Sequence, residues 1–270
     1  MNSRIYITFF TLLLLGFSSC TSKKTQFIDE QKIPAEQIYE EAMELLSSGK
    51  YGSAVLVFNK LDRLHPYSVW STRAQLMSIF SHYKAGKYND AVLAGERYIQ
   101  LHPASPEVPY AYYLIALSYY QRISDFKRDQ AATELALESL NQVISRFPSS
   151  DYAADARLKV DLVYANLAGS EMEIGRYYQG KEQFLAAINR FSGVVKNYQT
   201  TSYVPEALFR LVESYISLGL KQEAEKTAAV LGYNFPDSNW YKEAFSLIKG
   251  KPITKVEKPS FFSRVYNKIF

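Results

Sequence analysis

The chain has 270 residues, of which 31 are lysine or arginine and 27 are aspartate or glutamate, so its formal net charge at pH 7 is +4. A charge balance this mild does not favour a nucleic-acid-binding protein. The single cysteine excludes a framework of disulfides within the chain, and 22 tyrosines predict elements that bury an aromatic ring while the hydroxyl stays wet.

Residues 1–19 predict a secretory signal that ends before Cys20. Arg4 precedes an apolar stretch over residues 8–17, and two serines stand directly before the cysteine. The stretch is shorter than the ~20 residues that a membrane-spanning helix needs. A cysteine after such a cleavage site resembles a bacterial lipoprotein signal, in which Cys20 carries a diacylglycerol on its sulfur and an acyl chain on its amino group. The alternative is an ordinary signal peptide that happens to contain a cysteine.

The residue after the cysteine bears on the final location. Thr21 occupies the position at which enterobacterial lipoproteins retained at the inner membrane typically carry aspartate. The resemblance therefore implies anchoring to the outer membrane, on its periplasmic face. Residues 20–33 are largely polar and predict a lipidated tether to the first helix.

One spacing recurs five times and predicts five second helices. An alanine is followed by a residue four later, by an apolar residue seven later and usually by a proline twelve later. Steps of four and three place side chains on one helical face, and proline ends a helix. In three copies a glycine five residues before the alanine predicts a turn after a preceding helix. The copies begin at Ala54, Ala91, Ala136, Ala187 and Ala224.

Two helices joined by a turn and closed by proline are the pattern of the tetratricopeptide repeat, whose usual length is about 34 residues. We therefore predict an all-α protein, a right-handed α-solenoid of five tetratricopeptide-like helix pairs. Each repeat would bury its apolar face against its neighbours. The array covers residues 34–248 as repeats of about 34–68, 69–105, 106–150, 151–201 and 202–238, plus a last helix.

Two irregular spacings predict departures from a regular array. Residues 121–130 lengthen the turn between the two helices of the third repeat. The first helix of the fourth repeat is predicted to extend from Tyr152 to about Gln179. Its apolar residues spread around more than one face, which predicts that it is covered on several sides: Ala156, Leu158, Val160, Leu162, Val163 and Leu167.

Residues 249–270 predict a basic amphipathic tail. Lysine and arginine outnumber the single acidic residue, Glu257, and beyond Ser260 the apolar side chains fall on one helical stripe: Phe261, Phe262, Val265, Tyr266, Ile269 and Phe270. Such a segment can lie on a membrane surface or dock on a partner. The alternatives are a frayed end or a helix that folds back onto the last repeat, because helices this short are marginal alone.

Catalytic and metal-binding motifs are missing from the sequence. It contains no nucleophile elbow, Walker A loop, zinc-type helix motif or glycine-rich dinucleotide turn. His65 and His102 precede repeat-closing prolines, where a histidine suits a helix C-terminus, and His82 is expected to face the partner helix of its own repeat. None has a second ligand at metal spacing. We therefore expect no metal, no cofactor besides the covalent lipid, and no enzymatic activity.

Several local strings point to one family. They are the segment Glu36–Ala42, the insertion in the third repeat, and the order of a long helix, a Tyr177-Tyr178 pair and an Asn189-Arg190 pair. Together, over roughly residues 20–240, they resemble the BamD family, the lipoproteins of the outer-membrane β-barrel assembly machine. The resemblance implies a scaffold that works beside other lipoproteins of that machine.

The resemblance also implies a partner-binding site in the C-terminal repeats, which would bind a POTRA domain of a BamA-like barrel subunit. Arg190 stands where a family arginine matters for this contact, and arginine suits bidentate pairing with carboxylates. The alternative for Arg190 is an ion pair within the protein, for instance with Glu182 or Glu225. The implied partner-binding residues are Tyr177, Tyr178, Asn189 and Arg190.

An N-terminal groove is the second implied site, in which the family is thought to receive C-terminal signals of unfolded outer-membrane proteins. Aromatic-lined surfaces of repeat solenoids suit such peptides. The candidate groove residues lie at the rear of the first repeat and in the second: Tyr39, His65, Tyr67, Trp70 and Tyr83. The alternative is that most of these rings fill the core between repeats.

Two other functions are weighed against this one. A different periplasmic repeat lipoprotein would coordinate cell-wall synthesis or bind peptidoglycan enzymes. A wall hydrolase would need a catalytic glutamate in an added domain, and no residues are left to build one.

Overall fold

The computed structural model describes residues 32–123 and 130–249, and no strand occurs in those ranges. Each helix contacts the next one along the chain. In the described ranges there are eleven: α1 Ala35–Ser47, α2 Tyr51–Leu64, α3 Val69–Lys84, α4 Tyr88–Leu101, α5 Val108–Tyr120, α6 Ala131–Arg146, α7 Asp151–Gly180, α8 Phe184–Asn197, α9 Val204–Ser217, α10 Lys221–Asn234 and α11 Asn239–Ile248. The all-α repeat fold is confirmed, with five helix pairs, α1–α2 to α9–α10, that fall within the five predicted ranges.

The turn inside three of the pairs depends on a glycine with a left-handed backbone. Gly49, Gly86 and Gly219 have φ angles of 75°, 72° and 76°. Glycine adopts this region without the clash that a Cβ atom causes. Between α7 and α8 the same turn uses Glu182, with φ 59°, although a side chain there costs roughly 1–2 kcal/mol.

The second helices end where the sequence predicts. His65, His102, Phe147 and Phe235 each stand one residue past a helix and immediately before a proline, and their φ angles lie near −130°. A residue before proline is disfavoured in helical geometry. Proline suits these ends but is not required for them, because Tyr198, which stands before Gln199, ends α8 with a φ of −129° as well.

The predicted alanine spacing marks the core. In all five copies the alanine and the residues four and seven positions later are buried. All of them except Gly95 and Ala136 belong to five apolar clusters that join each helix pair to the next helix. Ala54, Phe58 and Leu61 of α2, for example, pack with Ile38 of α1 and Ala74 of α3.

Helix α7 has 30 residues, one more at each end than the predicted Tyr152–Gln179, and a length of about 45 Å at 1.5 Å per residue. Its first half packs on α6 and its second half on α8. The prediction that it is covered on several sides is wrong for Leu158 and Leu162, which are exposed. Helix α8 covers only the second half of α7, so no described helix covers Leu158 and Leu162 in the first half.

Several predictions lie wholly or partly outside the described residues. The signal, Cys20, most of the tether and the segment 250–270 belong to this group, as do residues 124–129 of the insertion. The insertion does connect the two helices of the third repeat, because α5 ends at Tyr120 and α6 begins at Ala131. Among the described helices, none is both long and apolar enough to cross a membrane.

Candidate partner-binding site

Helices α7 and α8 approach closely because α7 carries a glycine at the contact. Gly175 lies against the ring of Phe191, and a Cβ atom added to the glycine would meet Cε1 of that ring at 2.4 Å. Phe191 is fully buried. The close approach brings together side chains one turn away on α7 and one residue away on α8.

Those side chains are Glu171 and Arg190. Nη1 of Arg190 donates to both carboxylate oxygens of Glu171, at 3.1 Å to Oε1 and 3.3 Å to Oε2. The pair is open to solvent, since 42% of the Arg190 side chain and 28% of the Glu171 side chain are exposed. Arg190 thus forms the ion pair within the protein that was the alternative, but with Glu171 of the preceding helix and not with Glu182 or Glu225, the examples named for it.

The guanidinium of Arg190 retains capacity to bind. Arginine has five N–H donors, and within the described ranges the only acceptor that Arg190 contacts is Glu171. It lines an open cleft of about 300 Å³ together with Glu171, Tyr178, Ala186 and Asn189. The cleft thus combines a fixed cation with an amide and an aromatic ring, a set that suits a partner's carboxylate and its neighbouring residues.

Three of the four predicted partner-binding residues therefore share one cleft, and the fourth is adjacent. The exposed ring of Tyr177 meets the ring of Tyr178 edge-on, with 5.8 Å between their centroids, but does not line the cleft. Glu171 is not among the residues that the sequence predicts for this site. No spacing along one helix could have revealed a partner on another.

A charged network anchors the end of α7 to α9. Arg176 binds Glu206 through two bonds, 3.2 Å from Nε to Oε1 and 3.1 Å from Nη2 to Oε2, and binds Glu173 through a third. Burial opposes the charge of Arg176, but these carboxylates raise its pKa above the usual value. Arg210 completes the network with bonds to Glu206 and Glu213. The last turn of α7, which carries Tyr177 and Tyr178, is therefore tied to α9 by these ion pairs.

The predicted groove residues do not form one surface. Tyr39 and Trp70 lie side by side, 5.0 Å between ring centroids, and Tyr39 also packs against buried Phe58. Burial raises the pKa of Tyr39, which marks its ring as partly core. The guanidinium carbon of Arg73 lies over the Trp70 ring, 5.1 Å from its centroid. For this pair the alternative of core packing holds in part.

The other three predicted groove residues are dispersed. His65 contacts the carbonyl oxygen of Ile33 through Nε2 at 2.8 Å, and Tyr67 is fully exposed. Tyr83 lies 13 residues beyond Trp70 on the same helix, about 20 Å away at 1.5 Å per residue, and packs near Tyr88. Of the five predicted groove residues, Tyr39 and Trp70 are the two whose rings pack against each other, and the exposed Tyr67 precedes Trp70 by three residues in the chain.

A tyrosine cluster on α5 and α7 was not predicted. The Tyr152 ring lies 5.2 Å from Tyr110 and 5.2 Å from Tyr113, centroid to centroid. The hydroxyl of Tyr113 donates to Asp155, which also pairs with Lys159 at 2.8 Å. Burial, reinforced by nearby tyrosines, raises the pKa of Tyr110 to about 12. The cluster joins the third repeat to the fourth.

The histidines have structural contacts. His102 bonds through Nε2 to the side-chain oxygen of Gln75 at 2.8 Å, and Nδ1 of His82 lies 3.9 Å from Asp90 on the partner helix that the sequence predicted. Burial lowers the pKa of His82. Within residues 32–123 and 130–249 no three histidine, cysteine or acidic side chains are grouped as metal ligands.

Comparison with known proteins decides the family. Residues 31–231 match the model of the outer membrane lipoprotein family YfiO. The outer membrane protein assembly factor BamD of Caulobacter vibrioides is 45% identical over 238 residues, which cover 88% of this chain and 78% of the relative. The chain belongs to the BamD family. The BamD proteins of Rickettsia prowazekii (46% over 240 residues, 88% of this chain and 95% of the relative) and Neisseria meningitidis serogroup A (33% over 244 residues, 86% and 91%) agree.

Family membership confirms the resemblance read from the sequence. The BamD relatives carry the name of assembly factors, which points to a non-enzymatic role. The YfiO model describes outer membrane lipoproteins, which agrees with the predicted membrane.

Proposed function

We propose that this BamD family member is a lipid-anchored scaffold of the outer-membrane β-barrel assembly machine, held on the periplasmic face through Cys20. The signal layout before Cys20 and the description of the matching family as outer membrane lipoproteins support the anchor. The names of the relatives favour barrel assembly over the alternative role in cell-wall synthesis.

In this proposal, the cleft between α7 and α8 binds a surface of the BamA-like barrel subunit that carries a carboxylate. The observation that carries it is Arg190: Glu171 holds its guanidinium in place while other N–H donors remain unused by the described residues. A preorganised arginine loses little side-chain entropy on binding a carboxylate. Asn189 and Tyr178 in the cleft and Tyr177 on its rim add polar and aromatic contacts.

Affinity purification of the tagged full chain from detergent-solubilised membranes tests this site. Arg190→Glu should reduce recovery of the barrel subunit tenfold or more, which corresponds to about 1.4 kcal/mol, because it turns attraction into repulsion. Lys196→Glu on the same helix, exposed and outside the cleft, makes the same charge change and should leave recovery unaltered. Equal recovery with both folded variants would refute the assignment of Arg190, and recovery of wall enzymes instead would favour the alternative function.

The second part of the proposal is that the N-terminal repeats bind unfolded outer-membrane proteins. The supporting features are the ring contact between half-buried Tyr39 and Trp70 and the fully exposed Tyr67, which stands three residues before Trp70 in the chain. An extended segment that ends in an aromatic residue can bury its ring against such a surface. Tyr83 is too far along α3 to share it.

Photo-crosslinking distinguishes this surface from the rest of the first repeat. A photoreactive residue in place of Tyr67 should crosslink to nascent barrel proteins in cells. The same residue in place of Leu56, also exposed but on α2, serves as the matched control and should not. Equal crosslinking at both positions would mean that contact there is unspecific and would contradict the groove.

A further inference from the structure

Helix α11 has the position of a first helix in a repeat. It packs on both helices of the fifth pair, α9 and α10. Ala244 of α11 follows Ala207 of α9 by 37 residues, the interval that also separates Ala187 from Ala224. Both alanines are fully buried. The described chain therefore ends on the first half of a sixth repeat.

The outer face of α11 lacks the cover that its counterpart has. Leu208, one residue after Ala207, is 4% exposed and shares a buried cluster with Ala228 of its own second helix. Phe245, one residue after Ala244, is 46% exposed. Its ring contacts Nζ of Lys249 at 4.2 Å, a contact that leaves it open to solvent. Leu208 is covered by the second helix α10, whereas the described residues contain no helix after α11 that could cover Phe245.

The neighbouring helix α10 also has exposed side chains at positions that, in an earlier repeat, face the following second helix. Glu96 of α4 and Glu138 of α6 both line a cleft of about 450 Å³ that these two second helices form together with α5. Counted from the repeat alanine, the position of Glu96 corresponds to Ala229, and the position of Gln100, also in that cleft, corresponds to Tyr233. Ala229, Val230 and Tyr233 are all exposed. A solenoid that ends on uncovered apolar side chains needs a cap.

We propose that residues 250–270 of this chain are that cap and dock on α11 as the second helix of the sixth repeat. Three of the five second helices, α2, α4 and α8, begin with an aromatic residue three before the alanine, as in Tyr51, Ala54 and Phe58 of α2. Phe262, Val265 and Ile269 repeat that spacing with apolar residues. In this register Ile269 takes the place of Ala228 and covers Phe245.

The length of the connection allows this docking. Val265 follows Ala244 by 21 residues, whereas Ala224 follows Ala207 by 17, so the turn has four extra residues and room for Pro252 and Pro259. The segment follows directly from α11, so its local concentration at this face is high. The register also brings Arg264 and Lys268 to the side of α10, where the exposed ring of Tyr233 can accept a cation–π contact.

Hydrogen exchange of the full chain in detergent micelles tests the cap. The double variant Val265→Asp/Ile269→Asp should raise the exchange rates of α11 amides at least tenfold, because two charges cannot be buried against Phe245. Ser260→Asp/Ser263→Asp adds the same charges outside the stripe of Val265 and Ile269 and should leave the exchange rates of α11 unchanged. Equal rates in the native chain and the first variant would overturn the proposal.

Crosslinking shows whether the occupant belongs to the same chain. Ala229→Cys and Asn267→Cys stand at the positions of Glu96 and Glu138, and a short bismaleimide should join them within one chain. A crosslink between two chains would assign the face to a second copy and overturn the cap. So would the absence of any crosslink when both cysteines react with a monofunctional maleimide. The proposal is independent of partner binding at Arg190.

Discussion

Arg190 on α8 and Glu171 on α7 form an ion pair between two helices although 19 residues separate them in the chain. Both side chains are partly exposed, so the pair contributes only about 0–1 kcal/mol to the free energy of unfolding. Its main effect is to orient the guanidinium over the cleft. A contact with a small effect on stability and a large effect on geometry is suited to recognition.

A charge exchange separates these two effects. Arg190→Glu places two carboxylates together and should lower the free energy of unfolding by about 1 kcal/mol in urea titrations. Adding Glu171→Arg restores the pair and should restore stability, but not recovery of the barrel subunit, because the cation then projects from α7. Recovery of the partner by the exchanged pair would show that the position of Arg190 is not what the partner recognises.

Gly175 is expected to tolerate no larger side chain. Gly175→Ala brings a methyl group to 2.4 Å from the Phe191 ring, and relief of this overlap should cost about 1–3 kcal/mol of unfolding free energy. Gly193 of α8 is a matched control, since a Cβ atom there meets no other atom within 4 Å. Gly193→Ala should stabilise the protein by roughly 0.5–1 kcal/mol, as alanine does in a helix. Equal effects of the two variants would contradict the close approach of α7 and α8.

The tyrosine cluster predicts sensitivity to alkali. The pKa of Tyr110 is raised to about 12, whereas a tyrosine of the unfolded chain ionises near pH 10. Between about pH 10 and 12 the unfolded state therefore releases this proton while the native state retains it, and stability falls as pH rises. Urea titrations at pH 9 and 11 should show that Tyr110→Phe loses less unfolding free energy between the two pH values than the native chain does. Tyr67→Phe, whose ring lies in solvent, should leave the fall as steep as in the native chain.

Lipidation of Cys20 predicts the behaviour of the protein in cell fractions. Cys20→Ser removes the thiol that carries the diacylglycerol, so the protein should appear in the soluble fraction after a carbonate wash. Thr21→Ser changes the neighbouring residue and leaves the thiol in place, so this variant should stay with the membrane. A Cys20→Ser protein that remains membrane-bound after the wash would contradict lipid anchoring by this residue.

Much of the fold was predictable because repeats encode their own contacts. Ala136, Leu140 and Val143 lie on one helical stripe, and burying that stripe against a neighbouring pair is the only way to remove it from water. The prolines and glycines at the turns act through local backbone geometry, which needs no tertiary information. The same locality explains the error at Leu158 and Leu162: an apolar stripe shows where cover is favourable, not whether a helix is present to provide it.

By itself the sequence determined the helix pairs, their turns, the long α7 and the resemblance to the BamD family, since each rests on spacing within about one repeat. Only the tertiary structure decided which side chains from different helices meet. The packing of Gly175 on Phe191 selects Glu171 as the partner of Arg190. The length of α3 separates Tyr83 from Trp70, and the end of α11 leaves Phe245 uncovered. Distances between helices depend on the side-chain volumes at the contact, and these distances cannot be derived from the periodicity of a single helix.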